Sequence, residues 1–187
     1  QKFIFASTAE TYGWQTQRSP FTEDLTLKPA SPYAVSKVAA ELYVKMAGRA
    51  FGLPHIISRC CNTFGRKNDA NFVVEYLVTS MLAKKQPNIG TPNAVRDLMY
   101  VDDHVNAYLK MIELDLSDKN LVQENLKQDI NSYVFNFGNG LELTIGQVAE
   151  KIKQVIGFNG NILHGFPQDY PWRPVVEDYM SLNAEKA

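Results

Sequence analysis

Tyr33 and Lys37 stand four residues apart in a segment with helical periodicity, so their side chains face the same way. An ammonium group beside a phenol favours the phenolate, and we therefore expect Lys37 to lower the pKa of Tyr33. A phenol with a lowered pKa is a usable general base near neutral pH. The pair alone is a common helical pattern, and a surface tyrosine beside a solvated lysine is the plain alternative.

A hydroxyl-bearing turn lies upstream of this pair. The apolar run Lys2 to Ala6 predicts a buried strand, and the segment Ser7 to Glu10 (Ser-Thr-Ala-Glu) follows where that strand ends. Parallel α/β sheets bind ligands at the carboxyl ends of their strands. A hydroxyl there can hydrogen-bond a substrate oxygen as the charge on that oxygen changes. The order of strand, hydroxyl turn, loop and Ser-Pro-Tyr-x-x-x-Lys therefore indicates an active site.

These residues need a strand–helix–strand unit to position them. Ser31 and Pro32 fit the N-cap and first position of a helix, and Gly52 fits its end. The apolar positions of this helix follow a period of 3.6 residues: Val35, Val38, Ala39, Leu42 and Met46. His55 to Cys61 predicts a second buried strand, so the unit is a parallel crossover.

The rest of the chain alternates between helical and extended patterns. Helical periodicity covers Phe72–Lys84, Val101–Glu113 and Leu143–Ile156, the last with Thr144 as a candidate N-cap. Extended segments are predicted at Asn88–Gly90, Arg96–Val101, Tyr133–Phe137 and Asn161–His164. We expect residues 114–131 to be an exposed insertion and residues 165–187 to be rich in loops.

Composition excludes several classes of function. The 187 residues carry a net charge of -1, so bulk charge predicts neither nucleic-acid nor membrane binding. No apolar run approaches the roughly 18 residues of a membrane span, and the adjacent Cys60 and Cys61 suggest no disulfide framework. We therefore expect a cytoplasmic protein. The three histidines lack metal-ligand spacing, so no metal site is predicted.

Several motifs together resemble one family. The segments that carry the resemblance are Phe3–Gly13, Ser31–Glu41, Arg59–Gly65 (Arg-x-x-Asn-x-Phe-Gly), Arg96–Asp103 (Arg-Asp-x-x-Tyr-Val-x-Asp), Phe135–Gly140 and Arg173–Pro174. They resemble the extended short-chain dehydrogenase/reductases, the NAD-dependent epimerase/dehydratase group. The resemblance implies an α/β fold, the C-terminal part of a Rossmann-type doubly wound parallel sheet plus a small α/β substrate-binding lobe. Residues 1–66 would belong to the dinucleotide-binding domain. Residues 67–187 would form mainly the lobe, with elements returning to the Rossmann domain at about 96–113 and 133–138.

The resemblance also assigns roles. The implied catalytic residues are Thr8, Glu10, Tyr33 and Lys37. The implied cofactor contacts are Ser7, Tyr33, Lys37 and Cys60, and the implied contacts with the nucleotide sugar are Thr8, Asn62, Arg96 and Arg173. The implied ligands are NAD, with NADP as an alternative, and a nucleotide-diphosphate sugar, and the implied assembly is a homodimer.

Glu10 separates the candidate reactions. In the 4,6-dehydratases of this family, acidic residues after the hydroxyl residue remove the C5 proton and protonate the leaving 6-hydroxyl, and Glu10 matches the base position. Ala9 departs from the Asp that dTDP-glucose dehydratases have at this position. The segment Thr8-Ala9-Glu10 instead resembles the Thr-[Ser/Ala]-Glu pattern of GDP-mannose dehydratases and UDP-glucuronate decarboxylases. A 4,6-dehydratase is the favoured prediction. A 4-epimerase, a decarboxylase and an inactive truncated family member are the alternatives.

The start of the chain suggests a fragment. Gln1 opens directly on a strand-like run without an initiator Met, and no G-x-x-G-x-x-G opens a strand–helix unit in the sequence. We therefore expect the family's Gly-rich phosphate turn, which separates NAD from NADP users, to lie upstream of residue 1.

Overall fold

The computed structural model describes residues 2–66, 69, 71–116, 133–165 and 178–187. The helices are α1 (Pro32–Phe51), α2 (Val73–Leu82), α3 (Val101–Glu113) and α4 (Ile145–Ile156). The strands are β1 (Phe3–Thr8), β2 (His55–Cys60), β3 (Asn62–Phe64), β4 (Asn88–Ile89), β5 (Val95–Arg96), β6 (Leu98–Tyr100), β7 (Val134–Phe137), β8 (Leu143–Thr144), β9 (Leu163–His164) and β10 (Tyr179–Met180).

The central sheet is parallel, with strand order β1-β2-β7. Phe3 pairs with His55 and Thr8 pairs with Cys60, so β1 and β2 end at the same height. At the other side of β2, Cys60 pairs with Phe137 at the end of β7. The carboxyl ends of all three strands therefore form one edge of the sheet.

The sheet is covered on both faces. On one face, Val44 of α1 packs with Ile57 and Val134. On the other face, the Tyr108 hydroxyl of α3 lies 2.9 Å from the Ser58 hydroxyl. Because neighbouring residues of a strand point to opposite faces, α1 and α3 lie on opposite sides of β2. The predicted doubly wound α/β fold is confirmed.

Helix α1 begins and ends where its sequence predicts. The Ser31 hydroxyl accepts a hydrogen bond from the Ala34 N–H at 3.0 Å, and Pro32 occupies the first turn. The helix ends at Gly52, whose φ of 66° is the left-handed conformation that glycine adopts without steric cost. The apolar residues Val35 and Leu42 are exposed, so part of the predicted apolar stripe faces outward.

Helices α2 and α4 pack together around a separate cluster of apolar side chains, among them Leu77, Met81, Ile89, Ile145 and Ala149. Short strands flank this pair: β4 pairs with β9, and β5 lies between β10 and β8. The Thr144 hydroxyl accepts from the Gln147 N–H, and the Gln147 side chain accepts from the Thr144 N–H, which forms a complete capping box. The domain boundary near residue 66 stays a prediction.

Three details differ from the sequence-based expectations. The extended segment Arg96–Val101 divides into β5 and β6, which join different sheets. Helix α4 begins at Ile145, because Leu143 and Thr144 pair with β5. Tyr179 and Met180 form β10 within the region expected to be loops, and a two-residue strand is too short to show alternation in sequence.

Most of the predicted insertion at 114–131 lies outside the described residues. Within the described part of the chain, no helix combines the length and the apolar character needed to cross a bilayer.

Candidate active site

Thr8 lies at the carboxyl end of β1, where the chain turns into a short 3-10 helix, Ala9–Thr11. Its hydroxyl accepts a hydrogen bond from the Glu10 N–H at 3.3 Å, and its carbonyl accepts from the Thr11 hydroxyl at 2.8 Å. Both bonds hold the turn in one conformation. The Thr8 side chain is therefore fixed at the edge where parallel sheets bind ligands.

Tyr33 and Lys37 reach this edge from the first turns of α1. The Thr8 side chain lies near enough to the Tyr33 hydroxyl to lower the pKa of the phenol by hydrogen bonding. Lys37 Nζ donates to the Ala6 carbonyl at 2.8 Å and lies 5.7 Å from the centre of the Tyr33 ring. The Tyr33 side chain is 50% exposed, so a ligand can reach the phenol.

The pKa of Tyr33 is raised in this structure. Burial is the largest cause, and the negative charge of Glu10 adds to it, whereas the hydrogen bond from Thr8 lowers the pKa. The expectation of a lowered pKa for Tyr33 is therefore wrong for this structure, because burial and the charge of Glu10 outweigh the hydrogen bonding of Thr8.

Glu10 stands beside the same group. Its carboxylate is half-buried, and Oε2 accepts a hydrogen bond from the Ser31 hydroxyl at 3.4 Å. Ser31 is the N-cap of α1, so this bond links the turn after β1 to the helix that carries Tyr33. The turn thus places a carboxylate near the phenol, and the role of Glu10 as a proton-transfer group stays a prediction.

Ser7 and Cys60 have side chains directed into the protein. The buried Ser7 hydroxyl donates to Glu41 Oε1 at 2.5 Å. The buried Cys60 thiol lies 3.6 Å from the Tyr108 hydroxyl, and burial raises the pKa of this thiol. Both residues lie at or next to the carboxyl ends of their strands, and their predicted contacts with a cofactor stay predictions.

The predicted sugar-binding residues lie on neighbouring elements. Asn62 is exposed and follows Cys60 by two residues, so it lies at the edge to which Thr8 belongs. Arg96 is half-buried in β5, and its Nη1 donates to the Val95 carbonyl at 2.7 Å. Arg173 lies outside the described residues. The described contacts therefore bring together Thr8, Glu10, Tyr33 and Lys37, and the roles of the other residues stay predictions.

Sequence reasoning missed the importance of Asp97. Its carboxylate is 1% exposed and accepts hydrogen bonds from the Asn139 N–H at 3.0 Å and the Gly140 N–H at 3.1 Å. A Cβ on Gly138 would lie 2.3 Å from the same carboxylate, so only glycine fits there. Asp97 follows Arg96 directly, and it therefore ties the Gly-Asn-Gly turn to the strand that carries Arg96.

Among the residues that the structure describes, no group of three or more His, Cys, Asp or Glu side chains is arranged to hold a metal ion. Within the same ranges Cys60 and Cys61 are both buried and unpaired.

Comparison with known proteins places the chain in a family. Residues 1–122 match the family model described as the NAD dependent epimerase/dehydratase family. The chain belongs to this family. It is 31% identical over 157 residues to a dTDP-glucose 4,6-dehydratase from Haemophilus influenzae, a match that covers 83% of the chain and 42% of that protein. The chain spans about half the length of the curated relatives it matches.

Solved structures of epimerases and dehydratases share the fold. One is the UDP-glucose 4-epimerase of Thermotoga maritima with UDP-glucose, at 28% identity and a TM-score of 0.81, covering 99% of this chain and 55% of that one. Another is the dTDP-glucose 4,6-dehydratase of Bacillus anthracis in complex with NAD, at 27% identity and a TM-score of 0.77, covering 99% of this chain and 53% of that one. Members with two different activities thus resemble this chain to a similar degree.

Proposed function

We propose that the protein is an NAD-dependent enzyme that modifies nucleotide-diphosphate sugars, and that its reaction is a 4,6-dehydration. The observation that carries the proposal is the grouping of Thr8, Tyr33, Lys37 and Glu10 at the carboxyl edge of a parallel sheet. A phenol, a hydroxyl, an ammonium and a carboxylate at that edge are the groups needed to move protons on a sugar.

The chemistry begins with proton removal at the sugar. Tyr33 accepts the proton of the 4-hydroxyl, and Thr8 holds the same oxygen by a hydrogen bond while a carbonyl forms there. When bound, NAD supplies the acceptor for the hydride that leaves C4. The exposed Tyr33 ring and the Lys37 ammonium fit the nicotinamide end of that cofactor in chemical character, and Lys37 would contact its ribose. NADP is the alternative cofactor.

Glu10 is the residue that favours dehydration over epimerisation. A 4-keto group acidifies the C5 proton, so a carboxylate placed near Tyr33 can remove that proton and then protonate the 6-hydroxyl as it leaves as water. The double bond left between C5 and C6 would take back the hydride at C6 and a proton at C5, which gives the 4-keto-6-deoxy sugar with no net change in the cofactor. Similarity to the Haemophilus influenzae dehydratase supports this direction. Arg96 and Arg173 are proposed to hold the diphosphate, because a guanidinium pairs with phosphate oxygens in a bidentate manner.

A 4-epimerase is the second candidate. Ser31 donates a hydrogen bond to Glu10, which gives this carboxylate a structural reason to be present even if it moves no proton. A 4-epimerase needs only oxidation, rotation and reduction at C4, for which Thr8, Tyr33 and Lys37 suffice. Similarity to the Thermotoga maritima enzyme supports this candidate.

Product analysis of a Glu10→Gln variant separates the two reactions. The protein is expressed from its complete reading frame and incubated with NAD and a panel of UDP-, GDP- and dTDP-sugars, and the products are identified by NMR. We expect a 4-keto-6-deoxy product from the wild type, formed at least about 100-fold more slowly by Glu10→Gln. Asp24→Asn, which changes an exposed carboxylate on the same loop, is the matched control and should retain the wild-type rate.

Each outcome of that assay has a defined meaning. A C4-inverted sugar formed equally well by Glu10→Gln supports the epimerase and contradicts the dehydratase. Release of CO₂ from a UDP-glucuronate substrate supports the decarboxylase. Full dehydratase activity in Glu10→Gln contradicts the role assigned to Glu10, and the absence of any product from the wild type contradicts the proposed function.

We also propose that the full enzyme is a homodimer that uses α1 at its interface. Val35, Leu42 and Met46 repeat along one side of α1 and are 53%, 59% and 40% exposed. An exposed apolar stripe on a helix is typical of an interface. Light scattering after size-exclusion chromatography should give twice the chain mass for the wild type and a monomer for Leu42→Glu. A monomeric wild type would contradict this part of the proposal.

A further inference from the structure

One face of α1 continues beyond the candidate catalytic residues. Tyr33, Lys37, Glu41 and Lys45 follow one another at intervals of four residues, so they lie along the same side of the helix. Tyr33 and Lys37 reach the active edge, whereas Glu41 and Lys45 are buried against the sheet. Burying a carboxylate and an ammonium costs free energy, so the burial of Glu41 and Lys45 needs a physical explanation.

Glu41 joins α1 to two strands at once. Its Oε1 accepts from the Ser7 hydroxyl of β1 at 2.5 Å and from Arg59 Nε of β2 at 3.1 Å, and its Oε2 accepts from Arg59 Nη2 at 2.8 Å. Ser7 and Arg59 are directly paired in the sheet. Because the next pair along is Thr8 with Cys60, the carboxylate is anchored one residue before the active edge.

Arg59 extends these contacts across the sheet. Its Nη1 donates to the Tyr12 hydroxyl at 3.1 Å and to the Glu23 carbonyl at 3.1 Å. The Tyr12 hydroxyl donates in turn to Asn136 Oδ1 of β7 at 2.6 Å. The network therefore connects α1, β1, β2 and β7, and its members are almost fully buried.

Such a network is poorly explained by stability alone. The cost of removing two charges from water offsets most of the attraction within a buried ion pair, and apolar residues of similar volume are often equally stable in its place. A fork of two hydrogen bonds between Arg59 and Glu41 does fix direction and distance, which apolar packing does less strictly. The network therefore fixes the position of α1 relative to the strands more strictly than apolar packing would.

We propose that Glu41, held by Arg59 and Ser7, is a positioning residue that sets how α1 sits on the sheet and so places Tyr33 against Thr8. The same placement directs Lys37 Nζ to the Ala6 carbonyl. The use of Tyr33 as a base rests on the proposed function, whereas the placement of Tyr33 by Glu41 does not. The residue acts through α1 and touches no reacting atom.

The pKa of the Tyr33 hydroxyl depends on where this group lies relative to its neighbours. The ionisable groups around it are Glu10 on the turn after β1, Cys60 on β2, Tyr108 on α3 and Lys37 on its own helix. The hydrogen bond from Thr8 lowers the pKa of Tyr33 against the effects of burial and Glu10. If α1 shifts so that this bond is lost, the pKa of Tyr33 rises.

Tyrosine labelled with ¹³C at Cζ gives this pKa by NMR titration in cofactor-free protein, with the Tyr33 signal identified by its loss in Tyr33→Phe. We expect Ser7→Ala and Glu41→Gln each to raise the pKa of Tyr33 by about half a pH unit or more. Ser7→Ala changes no charge, so a shift in that variant reports position alone. Glu75→Gln is the matched control, because Glu75 is a buried carboxylate that accepts from the Gly65 and Arg66 N–H groups instead.

An unchanged pKa of Tyr33 in folded Ser7→Ala and Glu41→Gln overturns the proposal, and so does an equal rise in Glu75→Gln. If Glu41→Gln does not fold, Ser7→Ala and Arg59→Lys decide the question. In the activity assay we expect the kcat of Ser7→Ala and Glu41→Gln to fall about tenfold or more relative to the wild type, while their KM stays within about twofold. An inactive wild type would contradict the proposed function but leave the NMR result decisive for the positioning role.

Discussion

Replacing Asp97 with alanine removes the buried acceptor that holds the turn at Asn139 and Gly140. The carboxylate accepts the N–H groups of Asn139 and Gly140 at 3.0 and 3.1 Å, and only 1% of the residue is exposed. In Asp97→Ala both N–H groups lose this partner, although water can reach the exposed residues Asn139 and Gly140. A hydrogen bond to a carboxylate contributes about 1–2.5 kcal/mol net, so the loss of two should lower the free energy of unfolding by about 2–5 kcal/mol.

Urea denaturation followed by circular dichroism measures this loss. With a slope of about 2 kcal/mol per molar urea, the midpoint should move down by about 1–2.5 M. Asp103→Ala is the matched control, because Asp103 is an exposed aspartate in the first turn of α3 and its loss should cost only about 0.3–1 kcal/mol. A loss below about 1 kcal/mol in Asp97→Ala, or an equal loss in the control, would contradict the stabilising role of these two hydrogen bonds.

The pH dependence of stability should carry the signature of Asp97. Burial raises the pKa of this carboxyl group above its ordinary value, although the backbone hydrogen bonds lower it in part. The folded protein therefore binds more protons than the unfolded chain between the two pKa values, and stability falls as pH rises through that window. In urea titrations from acid to neutral pH, the stability of the wild type relative to Asp97→Asn should decrease as pH rises. An increase would contradict the assigned direction.

Three further substitutions test local features. In urea denaturation, Gly13→Ala should lower the free energy of unfolding by about 3 kcal/mol or more, and Gly52→Ala by about 1 kcal/mol. The reason for the difference is that a Cβ at Gly13 would lie 1.6 Å from the backbone oxygen of Lys28, whereas a Cβ at Gly52 would meet open space. Equal losses would contradict this contrast. Thr144→Ala should cost about 1 kcal/mol through loss of the capping box, and no loss would contradict that role.

The local signals in the sequence predicted the catalytic unit well. Ser31, Pro32 and Gly52 mark the ends of α1 because capping chemistry depends on residues close in sequence. The parallel pairing of β1 and β2 follows from the crossover between them. Once that pairing exists, Thr8 and Tyr33 must meet near one edge of the sheet.

Contacts between distant residues could not be predicted in the same way. Asp97 and Asn139 are 42 residues apart, and no local pattern marks their contact. Burial and the charge of Glu10 raise the pKa of Tyr33, and neither effect can be read from the spacing of Tyr33 and Lys37. Arg59, a charged residue within the predicted buried strand, was a sequence signal for the buried network.

The turnover of nucleotide-diphosphate sugars by Tyr33→Phe, in protein expressed from the complete reading frame and supplied with NAD, tests the role of Tyr33 directly. We expect this variant to fold with an unchanged thermal midpoint and to bind the nucleotide sugar, but to convert it about 100- to 10,000-fold more slowly than the wild type. Turnover by Tyr33→Phe at the wild-type rate would contradict the assignment of Tyr33 as the base.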